Sequence, residues 1–538
     1  MKALTAAEMR EVDRLTTERH GVGQVQLMEN AGSAVAEVVR DFARRWHRPF
    51  TRHVAVLCGK GNNGGDGFVA ARHLTVGHYE TRAYLFASPE ELRGDCAANF
   101  QRWRESGGAV AIINSENDWD RIRDEVAWAN VVVDALLGTG LRGGATGLLA
   151  KVIEDLNAIS RDSTAANPLV VSVDTPSGLP SDGETAEGPV VRAHTTVTFT
   201  AAKIGQLVSK DAACCGHLTV RQIGSPPELV ERIGQGSIRC AGPDEFALLP
   251  LARRPDAHKG SFGHVLVVGG SLGKSGAAVL AGYGSLCAGA GLTTVASPAA
   301  VQSLIASAHA EYMTEALGST EAGTLTISGD ECARFGKLLE GKTVLAVGPG
   351  LGTHPETQKA IEWLVRESAV PTVLDADGVN AFAGEIELLR ERKTRFLTIT
   401  PHPGEMARLL GTSNSAVQAD RVGAASQAAR LANAHVILKG FQTVLAAPDG
   451  RVWINTEGGP ALAKGGTGDV LTGVLAALTA QFGTEDWLRV LALGVYLHGA
   501  AGQASLGYYD ASGVVASSVA HSIPMARHAL LQDIRFGR

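Results

Sequence analysis

A chain of 538 residues is longer than one hydrophobic core usually serves, so two or three domains are expected. With 45% hydrophobic and 19% charged residues it reads as globular rather than disordered, and a formal charge of -6 gives no electrostatic case for nucleic acid or an anionic membrane as partner. Glycine is the anomaly, at 64 residues; it gathers where apolar runs end, as tight turns and close backbone approach to a ligand require.

The cysteines, Cys58, Cys96, Cys214, Cys215, Cys240, Cys287 and Cys332, are odd in number and lack metal-ligand spacing, which fits a reduced compartment. The opening MKALTAAEMREVDR has no signal-type apolar core, and stretches such as VLAALTA are too short to span a bilayer; a soluble cytoplasmic protein is expected. Thr5 followed by Glu8 predicts a capping box opening a first helix, and a second helical run covers roughly Gln24 to Arg45. Short apolar strands then alternate with helical segments: HVAVLCG with FVAARHLTVG, ANVVVDALLG with LLAKVIEDLNAI, and then NPLVVSVD, TTVTFT and GHLTVRQIG. The rhythm restarts at HVLVVGGS, continues through TVLAVGPG, PTVLDADG, FLTITPH and HVILKG, and ends in two long helical runs near 468 to 480 and 486 to 506. Such alternation predicts α/β domains built on mostly parallel sheets covered by helices. The stretch 226–245, with prolines, glycines and no long periodic run, reads as a linker between domains at 1–225 and 246–538.

In the first half, CGKGNNGGDGFVAARHL follows a strand and enters a helix, so its backbone can aim N–H groups at a ligand while Asn62, Asn63 and Asp66 add polar atoms. Asp134 in VVVDALLGTGLRGG and Asp174 in VVSVDTPSGL end two further strands, and parallel sheets collect such ends along one edge. Asn63, Asp134, Ser177 and nearby backbone carbonyls offer an all-oxygen set for a hard cation; alternatively the carboxylates only accept N–H bonds from the turns that follow them. NNGGDG at 62–67, DALLGTGLRG at 134–143 and VDTPSGL at 173–179 together resemble the NAD(P)H-hydrate epimerase domain, the Rossmann-like three-layer α/β/α N-terminal half of bifunctional nicotinamide-nucleotide repair enzymes. The resemblance implies that Asn62, Asn63, Gly64, Gly65 and Asp66 contact the hydrated nucleotide, as does the loop Gly138, Thr139, Gly140, Leu141, Arg142, Gly143 and Gly144. It also implies a potassium site at Asn63, Asp134 and Ser177, with Asp174 binding substrate and serving as the acid/base group.

In the second half, GGTGDVLTG at 465–473 sets Gly466 and Gly468 at a helix N-terminus whose free N–H groups favour an anion. Asp469 is then either an N-cap or the group that deprotonates an attacking hydroxyl during phosphoryl transfer. GGSLGKS at 269–275 imitates the end of a Walker loop but begins wrongly. HKGSFGHVLVVGGS at 258–271, GPGLG at 348–352, DADGVNA at 375–381, TPHPGEMARLL at 400–410, LKG at 438–440 and GGTGDVLTG resemble, in this order, the ribokinase-like ADP/ATP-dependent NAD(P)H-hydrate dehydratase domain. That resemblance implies Asp469 as catalytic base, with Ala277, Gly352 and His402 near the hydrated nucleotide. Lys439, Gly440, Phe441, Gln442, Thr443 and Gly468 would line the site for ADP or ATP with its magnesium. His402 is alternatively a helix cap beside Glu405, and Asp375 and Asp377 are either structural or near the phosphates.

The two resemblances imply repair of hydrated NADH and NADPH: epimerisation of R and S forms at C6, then nucleotide-dependent dehydration of the S form. The chain departs from the family pattern at Gly459 (commonly Asn), Ala461 and Lys274 (commonly Met) and Gln503 (commonly Asp); Gly459 is expected to keep its turn through backbone freedom. The rival reading is a small-molecule kinase of ribokinase type with an N-terminal binding domain. A homo-oligomer is expected for an α/β enzyme of this composition, with neither nucleic acid nor membrane as partner.

Overall fold

A computed structural model describes residues 1–45, 53–140, 143–160, 167–327 and 329–536, and the chain divides into two compact units, Met1–Ile238 and Arg239–Arg538. Leu141 and Arg142 of the expected substrate loop lie outside the described residues.

The first unit opens with the expected capping box: the Thr5 hydroxyl accepts the Glu8 N–H at 3.2 Å, and the Glu8 carboxylate accepts the Thr5 N–H at 2.8 Å. Helices Ala6–His20 and Gln24–Arg45 follow. Its sheet contains β1 (His53–Cys58), β2 (Glu80–Leu85), β3 (Ala109–Ile112), β4 (Val131–Ala135), β5 (Leu169–Val173), β6 (Thr195–Phe199) and β7 (His217–Arg221). All pair in parallel in the order β3-β2-β1-β4-β5-β6-β7. Alternate residues of β1 enter two cores, Val54, Val56 and Cys58 on one face and Ala55 and Leu57 on the other, because helices cover both faces. The strand order reverses between β1 and β4, which opens a crevice beyond their carboxyl ends.

The second unit is a ten-stranded sheet of β8 (Ile238–Cys240), β9 (His264–Val268), β10 (Leu292–Pro298), β11 (Met313–Leu317), β12 (Val344–Val347), β13 (Thr372–Leu374), β14 (Leu397–Ile399), β15 (His435–Leu438), β16 (Thr443–Ala446) and β17 (Val452–Asn455). The order is β11-β10-β9-β12-β13-β14-β15-β16-β17-β8, parallel from β11 to β15 and antiparallel across β15, β16 and β17. Here the reversal falls between β9 and β12. The stretch 226–245, read as an irregular linker, is folded: it carries helix Pro227–Ile233, edge strand β8 and helix Pro243–Phe246, each too short for a periodic signal. The two expected terminal helices, Thr467–Phe482 and Trp487–Ser505, are followed by a third, Ala516–Phe536, which the sequence reading stopped short of. Its Val519, Ile523 and Leu530 join the core with Val470, Val474 and Leu491. Among the described residues, no helix is long and apolar enough to cross a membrane.

Candidate active sites

In the first unit, helix Asn62–Val76 starts at Gly61 and packs its N-terminus directly onto the ends of β1 and β4. A Cβ on Gly64 would lie 1.9 Å from the Gly59 carbonyl oxygen, and one on Gly59 would lie 1.9 Å from that of Leu136, so close backbone approach dictates both glycines. This contact brings Asn63, Asp134 and Ser177 together around Leu137. The Asn63 amide donates to the Leu137 carbonyl at 2.9 Å, and the Ser177 hydroxyl accepts the Leu137 N–H at 2.8 Å. The same hydroxyl donates to Asp134 Oδ1 at 2.5 Å, while the Ser177 N–H and the Ser172 hydroxyl reach Oδ2 at 2.9 and 2.8 Å. Asp134 thus does accept a turn N–H, as the simpler reading held. Burial nevertheless drives its carboxyl upward, and the serine hydrogen bonds only partly oppose that. Asp134 is thus a fully buried carboxylate whose close partners are serine hydroxyls and a backbone N–H. Among the described residues, no group of three or more His, Cys, Asp or Glu is placed to hold a metal ion.

Asp174 follows β5 with a left-handed φ of 58°. Its carboxylate forms an ion pair with Lys203 and accepts the Thr198 hydroxyl at 3.1 Å, while its carbonyl accepts the Gln206 amide at 2.6 Å. Lys203 is only 1% exposed and also donates to the Thr198 hydroxyl at 2.9 Å and the Phe199 carbonyl at 3.2 Å. Burial pushes Asp66 well above the usual carboxylate range, with repulsion from Asp174 and Asp13 adding to it. Asp13 is raised to about 6, chiefly by burial; Lys203 opposes the rise and Asp174 adds to it. Neither Asp13 nor Lys203 was found from sequence. Lys203 stands beyond another strand end, that of β6, and this position was its only signal.

The other expected contacts differ in setting. Gly65 and Asp66 are buried, Asn62 and Gly140 exposed, and Thr139 half-buried. Gly138 lies against Asn63, and Gly143 (φ 73°) and Gly144 run beside Glu187 and Gly188.

In the second unit the C-terminal ends of β13, β14 and β15 face the start of helix Thr467–Phe482. Gly466, at a left-handed φ of 89°, is the residue that precedes the helix. Asp469 is therefore the third helical residue and not the N-cap, which removes the capping explanation for it. It makes no side-chain hydrogen bond among the described residues, and burial, with repulsion from Asp375 adding and Lys439 opposing, lifts it to about 7. Asp375 is buried and held by three donors: Oδ1 accepts Lys439 Nζ at 2.6 Å and the Thr400 hydroxyl at 2.7 Å, and Oδ2 accepts the Thr472 hydroxyl at 2.7 Å. Burial alone would raise Asp375, but Lys439 and these hydrogen bonds hold it below the usual range. Lys439 also lies 3.8 Å from Glu405.

Around this centre, Gly468 borders Lys439, since a Cβ there would sit 3.5 Å from Nζ. Lys439, Gly440 (φ 142°), Phe441, Gln442 (φ 50°) and Thr443 form the turn from β15 into β16, with Phe441 54% exposed. Arg421, unremarked in the sequence, supports that turn by donating to the Leu438 carbonyl at 3.1 Å. The Gly352 N–H donates to Asp377 at 2.7 Å, and Ala277 packs against the Gly350 backbone. His402 does cap its helix: Nδ1 accepts the Gly404 N–H at 3.0 Å and its own N–H reaches Glu405 at 2.7 Å, yet the ring stays exposed. Gly459 is extended, with φ 177°, so its expected backbone freedom is not used; Gly458, at φ 118°, is the position that needs glycine. Lys274 lies 3.4 Å from Asp377, and Gln503 donates to the Gly458 carbonyl at 2.8 Å.

A family model described as NAD(P)H-hydrate dehydratase matches residues 265–525, and one described as YjeF-related protein N-terminus matches residues 24–205. The chain is 40% identical to the bifunctional NAD(P)H-hydrate repair enzyme Nnr of Moorella thermoacetica, over 99% of its own length and 98% of that relative. It is 31% identical to the Escherichia coli K12 protein of the same name, over 96% of this chain and 92% of that one. Among solved structures, the ADP/ATP-dependent NAD(P)H-hydrate dehydratase from Bacillus subtilis co-crystallised with ATP/Mg2+ is 29% identical with a TM-score of 0.47, covering 54% of this chain and 98% of that one. With both units matched and identity sustained along nearly the whole length, the chain belongs to the bifunctional NAD(P)H-hydrate repair enzyme family.

Proposed function

We infer that this chain repairs hydrated nicotinamide nucleotides: unit Met1–Ile238 interconverts the R and S epimers at C6 of NADHX and NADPHX, and unit Arg239–Arg538 dehydrates the S epimer with ADP or ATP, releasing phosphate and AMP or ADP. The observation that carries the reading is Asp469, a carboxylate with no hydrogen-bond partner among the described residues, raised to about 7 at a helix N-terminus beside a strand-end lysine. Such a group accepts a proton near neutral pH. In the dehydratase, Asp469 takes the proton of the C6 hydroxyl as its oxygen attacks the terminal phosphoryl group. The C6–O bond then breaks with phosphate leaving, the ring nitrogen lone pair forms the C=N bond, and loss of a C5 proton restores the dihydropyridine.

Lys439, Gly440, Phe441, Gln442, Thr443 and Gly468 hold the adenine nucleotide, with the helix N–H groups toward its phosphates. Ala277, Gly352 and His402 border the hydrated ring. Magnesium carried by the nucleotide offsets the phosphate charge. Asp375 is engaged by Lys439, Thr400 and Thr472, which fixes its orientation beside the nucleotide.

In the epimerase, Asn63, Asp134, the Leu137 carbonyl and Ser177 would hold potassium, which would supply fixed positive charge beside the substrate loop. Asn62 to Asp66 and Gly138 to Gly144 hold the nucleotide, and Asp174, steadied by Lys203, exchanges a proton with the C6 hydroxyl as the bond at C6 opens and recloses. A cytoplasmic setting accords with seven free cysteines, and a homo-oligomer is open to test by light scattering.

The test is recovery of absorbance at 340 nm from an R/S mixture of hydrated NADH with magnesium, potassium and either ADP or ATP. Recovery of both epimers supports the reading and its rates name the preferred donor. Consumption of ATP without recovery, leaving a stable phosphorylated product, would replace the dehydratase with a small-molecule kinase.

A further inference from the structure

Lys439 is the cation whose charge opposes the high proton affinity of Asp469, and three carboxylates compete for it. Asp375 wins on geometry, at 2.6 Å, against 3.8 Å for Glu405, while Asp469 forms no ion pair with it among the described residues. The same Asp375 reaches the helix that carries Asp469: its second oxygen accepts the Thr472 hydroxyl at 2.7 Å, and that hydroxyl also lies 3.2 Å from the Gly468 carbonyl. One buried side chain therefore joins the ends of β13, β14 and β15 to the second turn of the catalytic helix. We propose that Asp375 is a positioning residue of the dehydratase: by holding Lys439 it withholds the ammonium from Asp469 and keeps that carboxylate free to act as base, while its bond to Thr472 ties it to the helix.

The proposal rests on the dehydratase reading above. The other groups that face Asp469 do not supply the same effect. Asp377 and Glu405 are anions that favour its protonated form, and His498, whose Nε2 lies 2.9 Å from the Thr467 carbonyl, is pushed down to about 4 by burial and stays neutral. Without the Asp375 charge, Asp469 loses that direct repulsion and Lys439 is no longer held away from it, and both changes lower the Asp469 carboxyl, by about one to three units where an ammonium reaches it.

The experiment compares the full chain with Asp375→Asn and Thr472→Val in two ways: the pH profile of dehydratase kcat, and the carboxyl titration of Asp469 by NMR of protein labelled with 13Cγ-aspartate. In D375N both the acid limb and the Asp469 titration should move down by about one to three units. T472V removes a hydrogen bond but no charge, and should lower Tm while leaving both in place. A D375N protein that melts earlier but titrates as the parent does would overturn the proposal and leave Asp375 a structural tie. Absence of turnover in the parent would instead sink the dehydratase reading, while the NMR titration still decides whether Asp375 controls Asp469. Should D375N fail to fold, the parent alone decides: Asp375 must remain ionised through the range where Asp469 titrates, and an Asp375 signal titrating above that of Asp469 overturns the idea.

Discussion

Both candidate sites lie at the carboxyl edge of a parallel sheet, and each turns on one aspartate and one lysine, but the pairing is opposite. In the first unit Lys203 contacts Asp174 itself, and Thr198 and Gln206 hold the same residue at a left-handed backbone angle. In the second unit Lys439 contacts Asp375 instead, and Asp469 is left bare. A buried ammonium in contact fixes the orientation of a carboxylate, whereas one diverted to a neighbour leaves Asp469 able to take up a proton near neutrality. The same two residue types thus serve as a clamp in one unit and as a tuned base in the other.

The largest expected effect comes from removing the bare carboxylate. Asp469→Ala should lower nucleotide-dependent recovery at 340 nm by about 10³-fold or more, in line with loss of a general base. Interconversion of R and S epimers, followed by chromatography without ADP or ATP, should not change. Equal loss of both activities would break the assignment of one reaction to each unit. Next in size is Lys203→Met, which strands Asp174 and should slow epimerisation by about 10²-fold and cost about 3–5 kcal/mol in the unfolding of the first unit. Lys203→Arg should regain part of the stability, since it restores the charge. An epimerase indifferent to K203M would remove the clamp from the comparison.

Much of this arrangement was legible because parallel strands announce themselves as short apolar runs and their carboxyl ends as glycine-rich turns. NNGGDG, VDTPSGL and GGTGD all stand at such ends or at the helix they face. β2 and β3 escaped because they lie toward the sheet edge and carry exposed or half-buried residues such as Glu80, Thr81 and Arg82, so their alternation is weak. The start of helix Thr467–Phe482 was read to within one residue, but the three glycines in GGTGD left open whether Asp469 caps it, and only the left-handed Gly466 decides that. Lys203, signalled only by its place beyond a strand end, and the role of Asp375 were not read. A lone lysine in AAKIGQL has no motif, and what makes it matter is a carboxylate from a different strand end.

The pH dependence sharpens the contrast further. Dehydration should fall about tenfold per unit as pH drops below about 7, where Asp469 is protonated. The same group has an opposite effect on stability. Its folded-state value lies above the usual carboxylate range, so its contribution is fully present below that range and is lost as pH rises through about 7. Asp469→Asn, which stays neutral, should therefore be more stable than the parent at pH 8 by about 1–3 kcal/mol, and the gap should close toward pH 4 when measured by denaturant unfolding. Asp375 runs the other way: its value is depressed, so its contribution is present above the usual range and is lost on acidification. A D469N protein no more stable than the parent at pH 8 would mean that Asp469 is not held against a cost, and the bare-carboxylate half of the comparison would fail.

The smallest effect concerns the substrate side of the second site, where the sequence departs from the family pattern. Because Gly459 is extended, a side chain there meets no backbone penalty. Its Cβ would come 3.0 Å from Gln503 Nε2, the movable end of a long side chain, and from nothing less yielding. Gly459→Asn should therefore change stability by less than about 0.5 kcal/mol, as substitutions outside the packed core do, with Gln503 releasing the Gly458 carbonyl. Gly458→Ala, forced onto φ 118°, should cost about 1 kcal/mol or more. If the side-chain amide that G459N introduces reaches the hydrated ring, KM for the S epimer falls a few-fold while kcat and the acid limb stay fixed, because Asp469, Asp375 and Lys439 are untouched. A shift of the acid limb in G459N would show that the turn at Gly458 and Gly459 bears on Asp469, and that the base is set by more than the lysine withheld from it.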